Sequence, residues 1–223
     1  MDTSGPEASP GDGAAIGVFG GTFDPVHFGH LRIALDALES LGLDQVRLIP
    51  LAHAVHRDQP ETPGALRLQM LQAAVAGRDD LVADDRELRR AGPSYTIDTL
   101  RSLRADFPSA TLWLLLGSDA YAGFSSWRDP EGILETANIA VLQRPGHGAR
   151  KDARASAAQT QDLPTAPLHG QVVFCPVTQL DIASSDIRAR IAAGHSADFL
   201  APPAVLALAA RHRLYRQSPA HGL

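Results

Sequence analysis

One cysteine in 223 residues, Cys175, is too few for an intrachain disulfide or a thiolate-rich zinc cluster. It follows Val172, Val173 and Phe174, a setting that suits a buried strand thiol better than a nucleophile. Positive charge is also scarce. Twenty Lys and Arg against 25 Asp and Glu leave a formal net charge of -5, which argues against broad binding to nucleic acid or to a membrane surface. No apolar run is long enough to span a bilayer, and the N-terminus lacks the basic-then-apolar pattern of a secretion signal, so a cytoplasmic protein is expected. Two familiar phosphate-binding fingerprints are missing: no Gly-x-Gly-x-x-Gly follows the first apolar run, and no Walker A Gly-Lys-Ser/Thr occurs. There is no internal repeat and no carboxylate cluster suited to caging Mg2+.

What is present is an ordinary globular composition, 44% apolar and 20% charged, long enough for one α/β domain with a sizeable core. Residues 1–13 and 217–223 read as tails around one domain over 14–216. Strand-like runs at 15–19, 46–50, 81–83, 112–116, 139–142 and 172–174 alternate with helical patterns at 30–41, 65–76, 96–107, 184–193 and 203–212. Gly42 is a helix stop. This alternation predicts a Rossmann-like, doubly wound parallel sheet of five to six strands with helices on both faces. A small helical part over 182–216 closes the chain. Residues 146–171, rich in Gly, Ala, Gln, Pro and Thr without a period, read as a flexible surface insertion. The charge run 84–90 reads as a solvated segment.

The densest chemistry lies directly behind the first strand, in Gly20-Gly21-Thr22-Phe23-Asp24-Pro25-Val26-His27-Phe28-Gly29-His30. The glycine pair lets backbone N–H groups approach a phosphate, and the next helix offers its positive end. His27 and His30, three apart at the helix entrance, can address one oxyanion, and a histidine can donate a hydrogen bond in either protonation state. Either histidine alone also fits an ordinary capped loop. A zinc site would need further ligands nearby. A second constellation, Ser184-Ser185-Asp186-Ile187-Arg188, offers a serine cap, a helix N-terminus and a cation one turn in.

The pattern Gly-Thr-Phe-Asp-Pro-x-His-x-Gly-His resembles the signature of the nucleotidyltransferase superfamily. The resemblance implies that His27 and His30 stabilise the α-phosphate of a nucleoside triphosphate as pyrophosphate leaves. It also implies that Gly20, Gly21, Thr22 and Phe23 belong to the ATP site. Ile182-Ala183-Ser184-Ser185-Asp186-Ile187-Arg188 is similar to the family's Ile-Ser-Ser-Thr-x-Ile-Arg, with alanine for the first serine and serine for threonine. Ser184, Ser185 and Arg188 are thereby implied to hold ATP phosphates.

Pro93-Ser94-Tyr95-Thr96, Gly117-Ser118-Asp119, Trp127-Arg128, Arg144-Pro145-Gly146 and Leu214-Tyr215-Arg216 together resemble bacterial nicotinate-mononucleotide adenylyltransferases. This implies that ATP and nicotinate mononucleotide are the substrates, with Mg2+ arriving on ATP. Trp127 would stack on the acceptor ring, and backbone N–H groups near Thr96 and Arg128 would receive its carboxylate. Asp119 would meet a ribose hydroxyl or orient a basic group, and His56 with Arg57 would approach phosphate. Partial core burial is the plain alternative for Trp127, and a helix cap for Asp119. The loop at 51–55, Leu-Ala-His-Ala-Val, departs from the family's Asn and Pro-Pro pattern. Other expectations compatible with the first motif are a nicotinamide-mononucleotide or phosphopantetheine adenylyltransferase, a cytidylyltransferase, a non-turnover nucleotide regulator and a metal-binding module.

Overall fold

The most apolar run of the chain forms the central strand of the computed structural model, which describes residues 11, 13–53, 59–143 and 169–216. Strand β4 (Thr111–Gly117) alternates its side chains between two cores. Leu112, Leu114 and Leu116 enter one, and Trp113 and Leu115 enter the other. Such two-sided burial needs helices over both faces of the sheet. β4 pairs in parallel with β1 (Ala15–Gly21) and β5 (Asn138–Gln143). Outward from these lie β2 (Gln45–Pro50), β3 (Leu81–Ala83) and β6 (Val172–Pro176). The sheet order β3-β2-β1-β4-β5-β6 is the doubly wound arrangement, with its switch point between β1 and β4.

Helices α1 (Phe28–Leu41), α2 (Gly64–Val75), α7 (Ser184–Ala192) and α8 (Pro203–Arg211) contribute to one core, through residues such as Ala34, Met70, Ile187 and Val205. The longer α4 (Thr96–Asp106) and the short α6 (Pro130–Thr136) cover the opposite face with Ile97, Leu100, Leu103 and Ile133. Both faces are therefore helical, and α7 and α8 form the expected C-terminal part. α1 ends at Gly42, whose left-handed backbone (φ 60°) lets its N–H reach the Leu38 carbonyl. Gly17 is required for a different reason: a Cβ there would lie 2.9 Å from Leu43 and 3.0 Å from Val46. Cys175 is fully buried in β6, as its apolar neighbours suggest.

One expectation is overturned. The charge run 84–90 is not a solvated segment. It starts the four-residue α3 (Arg86–Arg89), and Asp84, Arg86 and Glu87 are all buried. Asp84 lies between two guanidiniums, 2.7 Å from Arg47 Nε and 2.8 Å from Arg86 Nη2, and it also accepts the Arg86 N–H. Burial alone would raise the Asp84 carboxyl, but the two arginines outweigh it and hold it below the usual carboxylate range. Mutual pairing is what permits these charges inside the protein.

Short helices α3, α5 (Ser118–Ala122) and α6 fall in segments without helical periodicity in the sequence. Most of the 146–171 stretch lies outside the described residues. Its last two are already bonded to the sheet side, Gly170 N–H to the Ala137 carbonyl and the Gln171 carbonyl to Ile139 N–H.

Candidate active site

The Gly20–His30 turn connects the carboxyl end of β1 to α1, beside the topological switch point, where open α/β sheets place their ligands. Phe23 holds a left-handed backbone (φ 51°) and buries its ring beneath the turn. His30 rests edge-on against that ring, with centroids 5.0 Å apart. His27 is the N-cap residue of α1, and its ring stacks on His30 at 3.8 Å. The spacing of the pair has a steric cause at Gly29. A Cβ there would sit 2.9 Å from His27 Nδ1, so only glycine lets the His27 ring fold back over the helix start.

Both imidazoles are held neutral. Burial lowers His27 from 6.5 to about 4. Burial, helped by repulsion from His27, lowers His30 from 6.5 to about 3. His30 Nδ1 accepts the His27 backbone N–H at 3.4 Å, which leaves the neutral ring's proton on Nε2 as a donor. His27 Nδ1 is buried with no hydrogen-bond partner, an unspent polar atom in the middle of the motif.

The second motif lies against the first, although 159 residues separate Ser184 from Pro25. Ser184 Oγ donates to the Pro25 carbonyl at 2.9 Å, and Arg188 Nη1 donates to the Asp24 carbonyl at 2.9 Å. Ser185 is exposed, its hydroxyl 3.4 Å from Asp186 Oδ1. The expected serine cap is corrected: the N-cap of α7 is Ala183, with no side-chain cap, and Ser184 is already inside the helix. Alanine is a poor N-cap, so no side chain occupies the positive end of α7 next to the turn.

Four further residues brace this region: Arg67 and Thr62, which were not singled out in the sequence, and Asp24 and Tyr215, which stood in its motifs without a role. Arg67, fully buried on α2, donates to three carbonyls: Thr22 at 2.8 Å, Leu51 at 2.7 Å and Thr62 at 3.0 Å. It therefore ties the Gly20–His30 turn to the loop after β2. Burial lowers its pKa, with the nearby Asp24 and Tyr215 working in the other direction. Asp24 accepts the Tyr215 hydroxyl at 2.6 Å and the Thr62 N–H at 3.3 Å. The Thr62 hydroxyl in turn meets Tyr215 at 3.1 Å. Burial and the Asp24 carboxylate push the Tyr215 phenol well above its ordinary value, so it stays a neutral donor. The sequence signal was faint: Arg67 falls on the same helical stripe as Met70 and Leu71, where an apolar residue is the norm.

A cavity of about 460 Å³ opens on the α4 side of the turn. Gly20, Gly21 and Thr22 form one wall, and Thr96, Asp119, Trp127 and Arg128 line the rest, so four residues proposed for the acceptor share one space. Phe19 joins the two halves, lining the cavity while its ring lies 6.3 Å from that of His30. Trp127 is half-buried, tilted against Phe124 at 5.9 Å. Thr96 begins α4, and no side chain caps that helix. Asp119 is exposed in the first turn of α5. Glu87 also lines the cavity and accepts the Thr99 hydroxyl at 2.7 Å. Ser94 Oγ fastens the loop after β2 by accepting from the N–H groups of Ala52 and His53. His56, Arg57 and the Arg144–Gly146 segment lie outside the described residues. Among those described, no three of His, Cys, Asp and Glu converge as a metal-holding group. No helix among them is long and apolar enough to cross a membrane.

Comparison with known proteins identifies the family and the fold. The cytidylyltransferase-like family matches residues 18–190. The probable nicotinate-nucleotide adenylyltransferase of Pseudomonas fluorescens is 45% identical over 210 residues, covering 92% of this chain and 98% of that protein. Its counterpart in Chromobacterium violaceum is 44% identical over 214 residues, covering 91% and 99%. Among solved structures, Plasmodium falciparum nicotinic acid mononucleotide adenylyltransferase complexed with NaAD superposes with a TM-score of 0.69 at 19% identity, over 91% of this chain and 97% of that one. A putative nicotinate-nucleotide adenylyltransferase from Vibrio parahaemolyticus gives 0.63 at 21% identity, over 92% and 97%. At these identities the two structures speak for the fold, while the sequence relatives speak for the family. The chain belongs to the nicotinate-nucleotide adenylyltransferase family.

Proposed function

We propose that the protein transfers the adenylyl group of ATP to nicotinate mononucleotide, giving nicotinate adenine dinucleotide and pyrophosphate, as the names of its sequence relatives imply. A phosphate oxygen of the acceptor attacks the α-phosphorus of ATP in line. The new P–O bond forms as the bond to the bridging oxygen of pyrophosphate breaks, so no protein nucleophile is required. Catalysis is then positioning plus stabilisation of charge on the α-phosphate.

His27 and His30 carry the charge-stabilising role as neutral donors, fixed by stacking on one another and on Phe23. Arg188 and the uncapped start of α7 add positive potential beside the turn. Gly20 to Phe23, with Ser184 and Ser185, complete the ATP side. ATP enters as its magnesium complex, with the ion riding on the phosphates. In the cavity, Trp127 offers a stacking face, while the N–H groups at the start of α4 and near Arg128 receive the ring carboxylate. Asp119 is placed to meet a ribose hydroxyl. His56 and Arg57 are proposed to approach phosphate from the loop after β2. The substrates are small molecules, with no nucleic-acid or membrane partner, and the enzyme is assigned to the cytoplasm.

The observation that carries this reading is the shared wall: Gly20 to Thr22 line the acceptor cavity on one side and lead into the histidine turn on the other. The test is to incubate the protein with magnesium ATP and either nicotinate or nicotinamide mononucleotide, then identify the dinucleotide by mass. Release of pyrophosphate with nicotinate adenine dinucleotide as the main product is expected. Activity with neither mononucleotide would refute the reading.

A further inference from the structure

Three charged side chains line the acceptor cavity among the described residues: Glu87, Asp119 and Arg128. Glu87 is buried and accepts the Thr99 hydroxyl, and Asp119 lies on α5. Among the described residues Arg128 is the lone guanidinium of the lining. It forms no ion pair with any described carboxylate. Its neighbour Asp129 is engaged by Arg101 at 2.7 Å and by the Gly132 N–H at 3.1 Å.

What holds Arg128 is an aromatic face. Its guanidinium carbon lies 4.4 Å from the centroid of Tyr95, the N-cap residue of α4. Stacking uses the flat face of a guanidinium and leaves its edge, with the paired N–H donors, free. Trp127 and Thr96, the latter at the uncapped start of α4, line the same cavity as Arg128. A ring resting on Trp127 can present its substituent to the guanidinium and to the N–H groups at the start of α4. A carboxylate can accept two parallel N–H bonds from such an edge. A carboxamide offers one acceptor oxygen, and its NH2 group meets further donors.

We infer that the Arg128 side chain is a specificity-determining residue that favours an acceptor bearing a ring carboxylate over the same acceptor bearing a carboxamide. This rests on the proposed reaction and adds a side-chain charge to the backbone donors already assigned there. The attacking phosphate belongs at the Gly20–His30 end, so Arg128 should sense the ring and not the reacting group.

The test measures kcat/KM of wild type and Arg128→Gln with nicotinate mononucleotide and with nicotinamide mononucleotide. A charge-assisted hydrogen bond of this kind is worth about tenfold or more. The acid-to-amide ratio is expected to fall by about that factor in the variant, mostly through KM of the acid. Loss of equal size for both acceptors would mean that Arg128 serves the phosphate or only the fold, and would overturn the inference, as would an unchanged ratio. Wild type inactive on both acceptors would instead remove the proposed reaction, and the inference with it.

Discussion

The two sides of the Gly20–Thr22 wall are built differently. On the histidine side nearly every polar group near the turn is committed. Arg67, Ser184 and Arg188 each donate to carbonyls of the turn, Tyr215 donates to Asp24, and the Leu200 carbonyl takes the Phe28 N–H. On the acceptor side Trp127 is half-buried, Asp119 and Arg128 are exposed, and helices of seven residues or fewer carry the lining around them. The histidines proposed to stabilise charge therefore sit in a braced frame, while the groups that would choose the acceptor sit on short, open elements. Such a division suits a reaction whose chemistry is fixed at the α-phosphate but whose second substrate must enter and leave.

Breaking the brace should have the largest effect. Arg67→Met leaves three loop carbonyls without their donor and is expected to cost about 3 kcal/mol or more of stability, read as a lower urea midpoint at unchanged slope. An unchanged midpoint would show that the frame does not depend on Arg67.

Next come the histidines themselves. His27→Ala or His30→Ala should lower kcat by on the order of 100-fold or more at saturating ATP, with little loss of stability from removed charge because both rings are neutral.

On the open side, Trp127→Ala should raise the acceptor KM by about tenfold, through loss of a stacking face, and move the KM of ATP much less. Equal rises in both constants would erase the contrast between the two sides.

Near neutrality the smallest expected effect is that of pH itself, which grows only on acidification. Both histidines have native pKa values below the ordinary 6.5, so the unfolded chain binds protons first as pH falls. Stability is complete above about 6.5 and declines towards 4 and 3, on the order of 1 kcal/mol per pH unit for each histidine. Thermal unfolding of wild type and His27→Gln over that range should show a shallower decline in the variant.

The contrast also explains what was legible in the sequence. The histidine turn and its strand are contiguous, so the spacing of His27, Gly29 and His30 could be read directly, and the structure supplies the steric reason at Gly29. The parallel α/β sheet followed from the alternation of apolar runs such as 112–116 with helical patterns. Arg67 was hidden, as were the roles of Asp24 and Tyr215 within their motifs, because their partners are a backbone carbonyl, a distant N–H or a residue far along the chain. The 84–90 run was misread because its charges satisfy one another inside the protein, which composition does not reveal. Ser184 looked like a cap because serine prefers that position, yet the helix starts one residue earlier and the hydroxyl is spent on Pro25.

The separation of the two sides can be tested directly by titrating nicotinate mononucleotide into the His27→Ala/His30→Ala double variant and following the change in tryptophan fluorescence. Binding within about threefold of wild type, alongside turnover reduced by on the order of 100-fold or more, is the expected result. Acceptor binding weakened in step with turnover would contradict it, because the histidine turn would then be holding the acceptor and not the transition state.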